Sequence, residues 1–162
     1  MSGARWAFAG LLLAGLAGAP LAAQGRRSVI EWGIHATFTA VDSGPLGVVA
    51  GPRAALRSVG GTRLALSLGA GVLGDQASAR GELALEYLLA PRAAGKLGVY
   101  LGGGLAGVAG AGNGGYLLAY LGVERSPGLS SGWAIEAGLG NGYRARIAWH
   151  WRRFPVGWRP QR

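Results

Sequence analysis

The feature that most restricts this chain is a two-residue alternation of apolar and polar side chains, repeated eight times within 162 residues. In VIEWGIHATFTAV, residues 29–41, one row holds Ile30, Trp32, Ile34, Ala36, Phe38 and Ala40, and the other Glu31, Gly33, His35, Thr37 and Thr39. Period two is that of a β-strand, whose successive side chains point to opposite faces. The pattern recurs over 28–41, 47–57, 62–73, 79–89, 96–109, 115–125, 132–139 and 143–154. Between these segments lie DSGPL, SVGGT, GDQAS, PRAAGK, GAGNGG, SPGLSSG and GNG, all rich in turn-forming residues. Short connections join antiparallel neighbours. The expected fold is therefore all-β: an eight-stranded antiparallel up-and-down barrel within 24–162, closed where Arg26 and Phe154 bring its two ends together. Leu88, Val108 and Leu118 interrupt the polar rows, and Pro52 predicts a bulge or a strand end.

One hairpin allows its register to be derived. Pairing about Asn141 sets Trp133 opposite Trp149, Ile135 opposite Ile147 and Ala137 opposite Ala145, with Glu136 meeting Arg146 on the other face. Pairing about a two-residue Asn141-Gly142 turn would set Leu139 against Arg144 and mix the faces. A slip of one residue inverts the whole pattern, so the odd-length turn is preferred, with Gly142 in its left-handed position.

Which row meets water decides what such a sheet can do. The polar rows carry Glu31, His35, Arg53, Arg57, Arg80, Glu82, Glu86 and Tyr100. They continue with Tyr120, Glu124, Glu136, Arg144, Arg146, His150 and Arg152, and their other positions are mainly Gly, Ala, Ser and Thr. Small residues mixed with both signs of charge suit a crowded polar lumen, where arginines pair the carboxylates. The opposite rows carry almost no charge and end in Trp or Tyr at several strand ends, the composition of a lipid-facing band. Charged residues make up 14% of the chain, against about 25% in ordinary soluble domains. A soluble barrel holding a lipophile would need a wet exterior that this composition does not supply. The reading is thus a transmembrane barrel whose apolar side faces lipid.

The first 23 residues, MSGARWAFAGLLLAGLAGAPLAA, have one cation, an apolar run and small residues before Gln24, the layout of a secretory signal peptide. Without Arg5 the remainder has 15 basic against 7 acidic side chains, about +8. Its cations, all Arg except Lys96, are spaced along the sequence instead of clustered, which argues against a nucleic-acid partner. No Cys is present, which removes disulfides and thiolate metal sites.

Signal peptide, eight alternating strands and a Glu/Arg lumen together resemble the small outer-membrane barrels of the OmpA and OmpX type. The last strand, YRARIAWHWRRF, is similar to their terminal assembly signal, with Trp149 and Trp151 on alternate positions and a closing Phe154. The chain then departs from that pattern by continuing to Arg162. The resemblance implies a bacterial outer-membrane location with outer-membrane lipids as partners, termini in the periplasm and engagement of the barrel-assembly machinery through the last strand.

Motifs for chemistry are weak. GxGxxG occurs at Gly69-Gly71-Gly74, Gly102-Gly104-Gly107 and Gly110-Gly112-Gly115, but none opens a helical pattern, and 32 glycines make chance matches easy. Ten glycines in the uncharged run 97–123 argue against a helical hairpin. His35 and His150 lie on polar rows of strands that would be neighbours; they could form a metal pair with Glu31, but such histidines are more often hydrogen-bonded members of a polar interior. Barrels that modify lipid A use His with a nearby Ser; here His35-Ala36-Thr37 is the nearest arrangement, and His150 is followed by Trp151 and Arg152. The expectation is a non-enzymatic envelope scaffold with no cofactor, metal or catalytic residue. A narrow ion or small-solute pore, a lipid-modifying enzyme and a soluble periplasmic lipophile-binding barrel remain as alternatives.

Overall fold

The computed structural model describes residues 28–41, 44–110 and 113–161. The expected signal peptide, Arg26 and Gly112 lie outside them. The chain forms eight strands: β1 (Ser28–Ala40), β2 (Leu46–Ser58), β3 (Thr62–Leu73), β4 (Gln76–Leu88), β5 (Leu97–Gly110), β6 (Gly114–Arg125), β7 (Ser131–Leu139) and β8 (Tyr143–Arg153). Each pairs antiparallel with the next, and β8 pairs with β1, so the sheet is a closed barrel. Closure gives every strand a neighbour on both sides, so the sheet has no edge strand.

Paired residues followed round the barrel from Ile30 pass through Leu56, Leu64, Leu85, Gly103, Ala119, Leu139 and Tyr143. They return to β1 at Ala40, a stagger of ten residues. Eight strands with that stagger tilt about 40° from the barrel axis and enclose a bore that side chains alone can fill. The alternation predicted from sequence is realised along each strand; in β8 buried and exposed residues alternate without a break. The apolar rows point outward. Leu64, Leu66 and Leu68 are all exposed, as are Leu117, Leu121 and Ile147. Of the three exceptions on the polar rows, Leu88 and Leu118 are buried with Tyr100 and Tyr120, and Val108 is half-buried.

The register of the last hairpin matches the derivation: Trp133 opposes Trp149, Ile135 opposes Ile147 and Glu136 opposes Arg146. Both Asn141 (φ 61°) and Gly142 (φ 102°) occupy the left-handed region in its three-residue turn. Two expectations are corrected. β4 begins at Gln76, not 79, because Gly74 (φ 64°) lets Gly74-Asp75 reverse the chain in two residues, so Leu73 pairs with Gln76. Pro52 makes neither a bulge nor a strand end. It lies inside β2 opposite Ile34, and the β2–β3 register is the same before it (Ala50 with Ala70) and after it (Arg53 with Ser67). Leu68 stands across β3 from this proline, which has no N–H to give. The Leu68 carbonyl instead lies 3.2 Å from His35 Nε2.

Glycines make room for the two large lumen aromatics. Tyr100 opposes Gly122 and Tyr120 opposes Gly102, and each ring lies over its partner glycine so closely that a Cβ there would collide with it. Replacing Gly122 by Val should displace the Tyr100 ring and cost about 1–3 kcal/mol through overpacking. Val at Gly107, where nothing lies within 4 Å, should be near neutral. Urea unfolding followed by tryptophan fluorescence measures both, and equal midpoints for the two variants would refute this packing.

Candidate functional site: the charged lumen

Alternation in tilted strands delivers every expected network residue to the interior. Glu31, His35, Arg53, Arg57, Arg80, Glu82, Glu86, Tyr100, Tyr120, Glu124, Glu136, Arg144, Arg146, His150 and Arg152 are all buried. Three ion pairs join residues that stand opposite each other on adjacent strands: Glu31 with Arg152, Arg63 with Glu86, and Glu136 with Arg146. Arg57 with Glu31 and Arg144 with Glu136 are diagonal pairs on adjacent strands, Arg80 with Glu82 lies along β4, and the others cross the bore.

The network is continuous from end to end. Near the end that holds Ser28 and Arg153, here the terminal end, Glu31 and Glu124 share three cations. Arg57 lies 3.2 and 3.6 Å from them, Arg63 3.2 and 2.7 Å, and Arg152 3.5 and 3.3 Å. Arg63 also grips Glu86, which Arg53 joins to Glu136 at 3.6 Å. Glu136 meets Arg144 at 2.9 Å and Arg146 at 3.7 Å, and both arginines also reach Glu82, which Arg80 completes at 2.6 Å. Five carboxylates thus face seven guanidiniums. Tyr100 donates to Glu136 at 3.0 Å and Tyr120 to Glu86 at 2.6 Å, while Arg63 and Arg144 stack over those two rings. Buried ions are tolerable only when so matched, since each carries a desolvation penalty of several kcal/mol.

The expected network omits Arg63, although Arg63 touches three of its five carboxylates. Its signal was present in the sequence, because it shares the polar row of β3 with Ser67. Its importance depends on Glu31 and Glu124, which reach it from strands far away in sequence. Thr37 and Ser67 also join, accepting from Arg146 at 2.8 and 3.4 Å. The Leu68 carbonyl can only accept, so His35 carries its proton on Nε2. Nδ1 then accepts from the Thr37 hydroxyl at 3.2 Å. His35 and Thr37 are therefore held within an interior relay running from Arg146 to Leu68. His150 stands opposite Gly33 and His35 opposite Ala148, so the two imidazoles do not face each other across β1 and β8. Among the described residues no group of three or more His, Cys, Asp or Glu is placed to hold a metal ion.

The terminal end has a cover that the alternation did not foretell. The residues after Phe154 fold back over the bore. Trp158 stacks on Phe154 with ring centroids 4.6 Å apart, and its indole donates to the Gly128 carbonyl at 3.2 Å. Gln161 exchanges backbone hydrogen bonds of 2.8 Å with Arg92 and Ala94 in the β4–β5 connection. Beneath this lid Arg57 donates to the Pro127 carbonyl at 2.9 Å and lies under both aromatic rings. At the opposite end a small cleft of mixed lining lies between Thr37, Thr39, Ser78 and Arg80 on the polar side and Val49, Val72, Leu73 and Val108 on the apolar side.

Replacing Arg63 with Met should leave Glu31, Glu86 and Glu124 short of a cation and lower stability by about 3–5 kcal/mol. Arg63→Lys keeps the charge but loses the planar fork, so its loss should fall between that of Met and wild type. Urea midpoints compared with the exposed Lys96→Gln variant provide the check; a Met variant as stable as Lys96→Gln would exclude a central role for Arg63. Compared with protein-family models and with curated proteins, the chain matches none.

Proposed function

We propose that this protein spans the bacterial outer membrane as a non-enzymatic barrel whose side-chain-filled lumen makes it a structural element of the envelope. The observation that carries the reading is the inversion of the usual globular arrangement. Within the strands every charged residue is buried except Arg125 and Arg153, which are the last residues of β6 and β8. Leu, Ile, Val, Phe and Trp make up most of the exposed outer face, and Leu117 at 79% and Leu121 at 64% exposure would be costly in water.

Dimensions support the same reading. A twelve-residue strand such as β3, tilted about 40°, rises about 30 Å, comparable to a bilayer hydrocarbon core. Trp32, Trp133, Trp149 and Trp151 fall on the outer face toward the terminal end, where aromatic side chains mark a membrane interface. The resemblance to OmpA- and OmpX-type barrels accords with this architecture and adds termini in the periplasm. A soluble calyx for a lipophile fits poorly, since the interior offers carboxylates and guanidiniums where such a ligand needs an apolar pocket. The filled bore and its lid favour a scaffold over a pore.

Envelope fractionation should recover the protein with outer membranes, and its gel mobility should shift on boiling; recovery in a detergent-free periplasmic extract would overturn the reading. In planar bilayers the full chain should give no ion steps, and neither should a chain truncated after Phe154, because the Glu/Arg network still fills the bore. Steps from the full chain would establish a pore, and steps only after truncation would assign closure to the tail.

A further inference from the structure

We infer that the terminal end of the barrel is a docking surface for anionic phospholipid headgroups, an inference that rests on the membrane reading above. Outside the lumen the described cations are Arg92, Lys96, Arg125, Arg153 and Arg159. All five lie at the terminal end: Arg92 and Lys96 in the β4–β5 connection, Arg125 and Arg153 at the ends of β6 and β8, and Arg159 in the tail. Arg92 is half-buried over Trp158, and the other four are exposed. In sequence Arg26 and Arg27 immediately precede β1, outside the described residues.

The acids are distributed in the opposite sense. All five glutamates are inside the lumen, and Asp75 sits in the β3–β4 turn at the far end. Asp42, outside the described residues, belongs in sequence to the β1–β2 connection, which joins strands at that same far end. None of the five rim cations has a carboxylate partner among the described residues. The barrel is therefore polarised along its axis, with an uncompensated basic rim at one end.

The position of the rim selects the partner. Trp32 stands opposite Trp151, and Trp133 opposite Trp149, on the outer face of β7, β8 and β1. Indoles settle at the level of lipid headgroups. Arg153 lies two residues beyond Trp151 along β8, roughly 7 Å of strand. Cations spread along the rim from the β4–β5 connection to β8, just beyond an apolar band, all meet one planar partner, the phosphate layer of the leaflet that surrounds the band. A rod-like nucleic acid or a compact acidic protein would meet only one side of it. Near an anionic bilayer surface each basic residue strengthens attraction roughly fivefold, and salt screens it.

The test refolds the full chain into mixed phosphatidylcholine–phosphatidylglycerol vesicles with one of the two lipids brominated, so that bromine reports by quenching which headgroup neighbours the tryptophans. At low salt, brominated phosphatidylglycerol should quench about twofold more than brominated phosphatidylcholine at equal mole fraction. The K96Q/R125Q/R153Q/R159Q variant, or about 1 M salt, should bring the ratio to near one. A ratio of one for wild type at low salt overturns the inference, as does a preference that survives both the variant and the salt. Boiling-dependent mobility on the same vesicles separates the two readings. A band that fails to shift sinks the membrane reading, whereas a shifting band with a ratio of one sinks only the docking surface.

Discussion

A carboxylate withdrawn from water must be met by a cation, and this requirement shapes the interior of the barrel more than any other. Glu31, Glu86, Glu124, Glu136 and Glu82 form a ladder through the bore, and six of its seven arginines are forks shared between two or three acids, Arg80 holding Glu82 alone. Arginine suits the task because its planar guanidinium can address carboxylates on several strands at once and does not shed its charge. The tyrosines complete the ladder, since each hydroxyl satisfies a carboxylate while its ring receives a guanidinium.

The network in turn constrains the backbone. A ring wide enough to bridge from β5 or β6 toward the centre needs a flat bed, which Gly122 and Gly102 provide on the neighbouring strand. The abundance of glycine, which in sequence made nucleotide-binding motifs appear by chance, has this steric purpose at Gly102 and Gly122. Pro52 shows a similar economy. It removes one donor from the β2–β3 ladder, and His35, reaching from β1, supplies a donor to the Leu68 carbonyl opposite it.

Charge sorting links the interior to the ends. Acids are confined to the lumen and the far turn, whereas the cations left over from pairing gather around the terminal rim, beside the tail that covers the bore. Read along the chain, these cations look evenly dispersed, which argues against a nucleic-acid partner. Antiparallel topology reunites them, because every second connection and both described strand termini return to the same end.

Strand number, facing, fold class and the β7–β8 register were legible in the sequence, because a period of two is local and a one-residue slip would reverse every side chain. The burial of the expected lumen residues followed from the same parity, although Arg63, on the polar row of β3, was left out of that set. What parity could not supply was partnership across the bore: that Arg63 is shared by Glu31, Glu86 and Glu124 depends on the stagger of a closed sheet, which sums over all eight pairings. The lid formed by Phe154, Trp158 and Gln161 has no periodicity to announce it, and its contacts are to connections about thirty to seventy positions away. Local alternation determined which way each side chain points, and only closure of the barrel decided which distant charges meet.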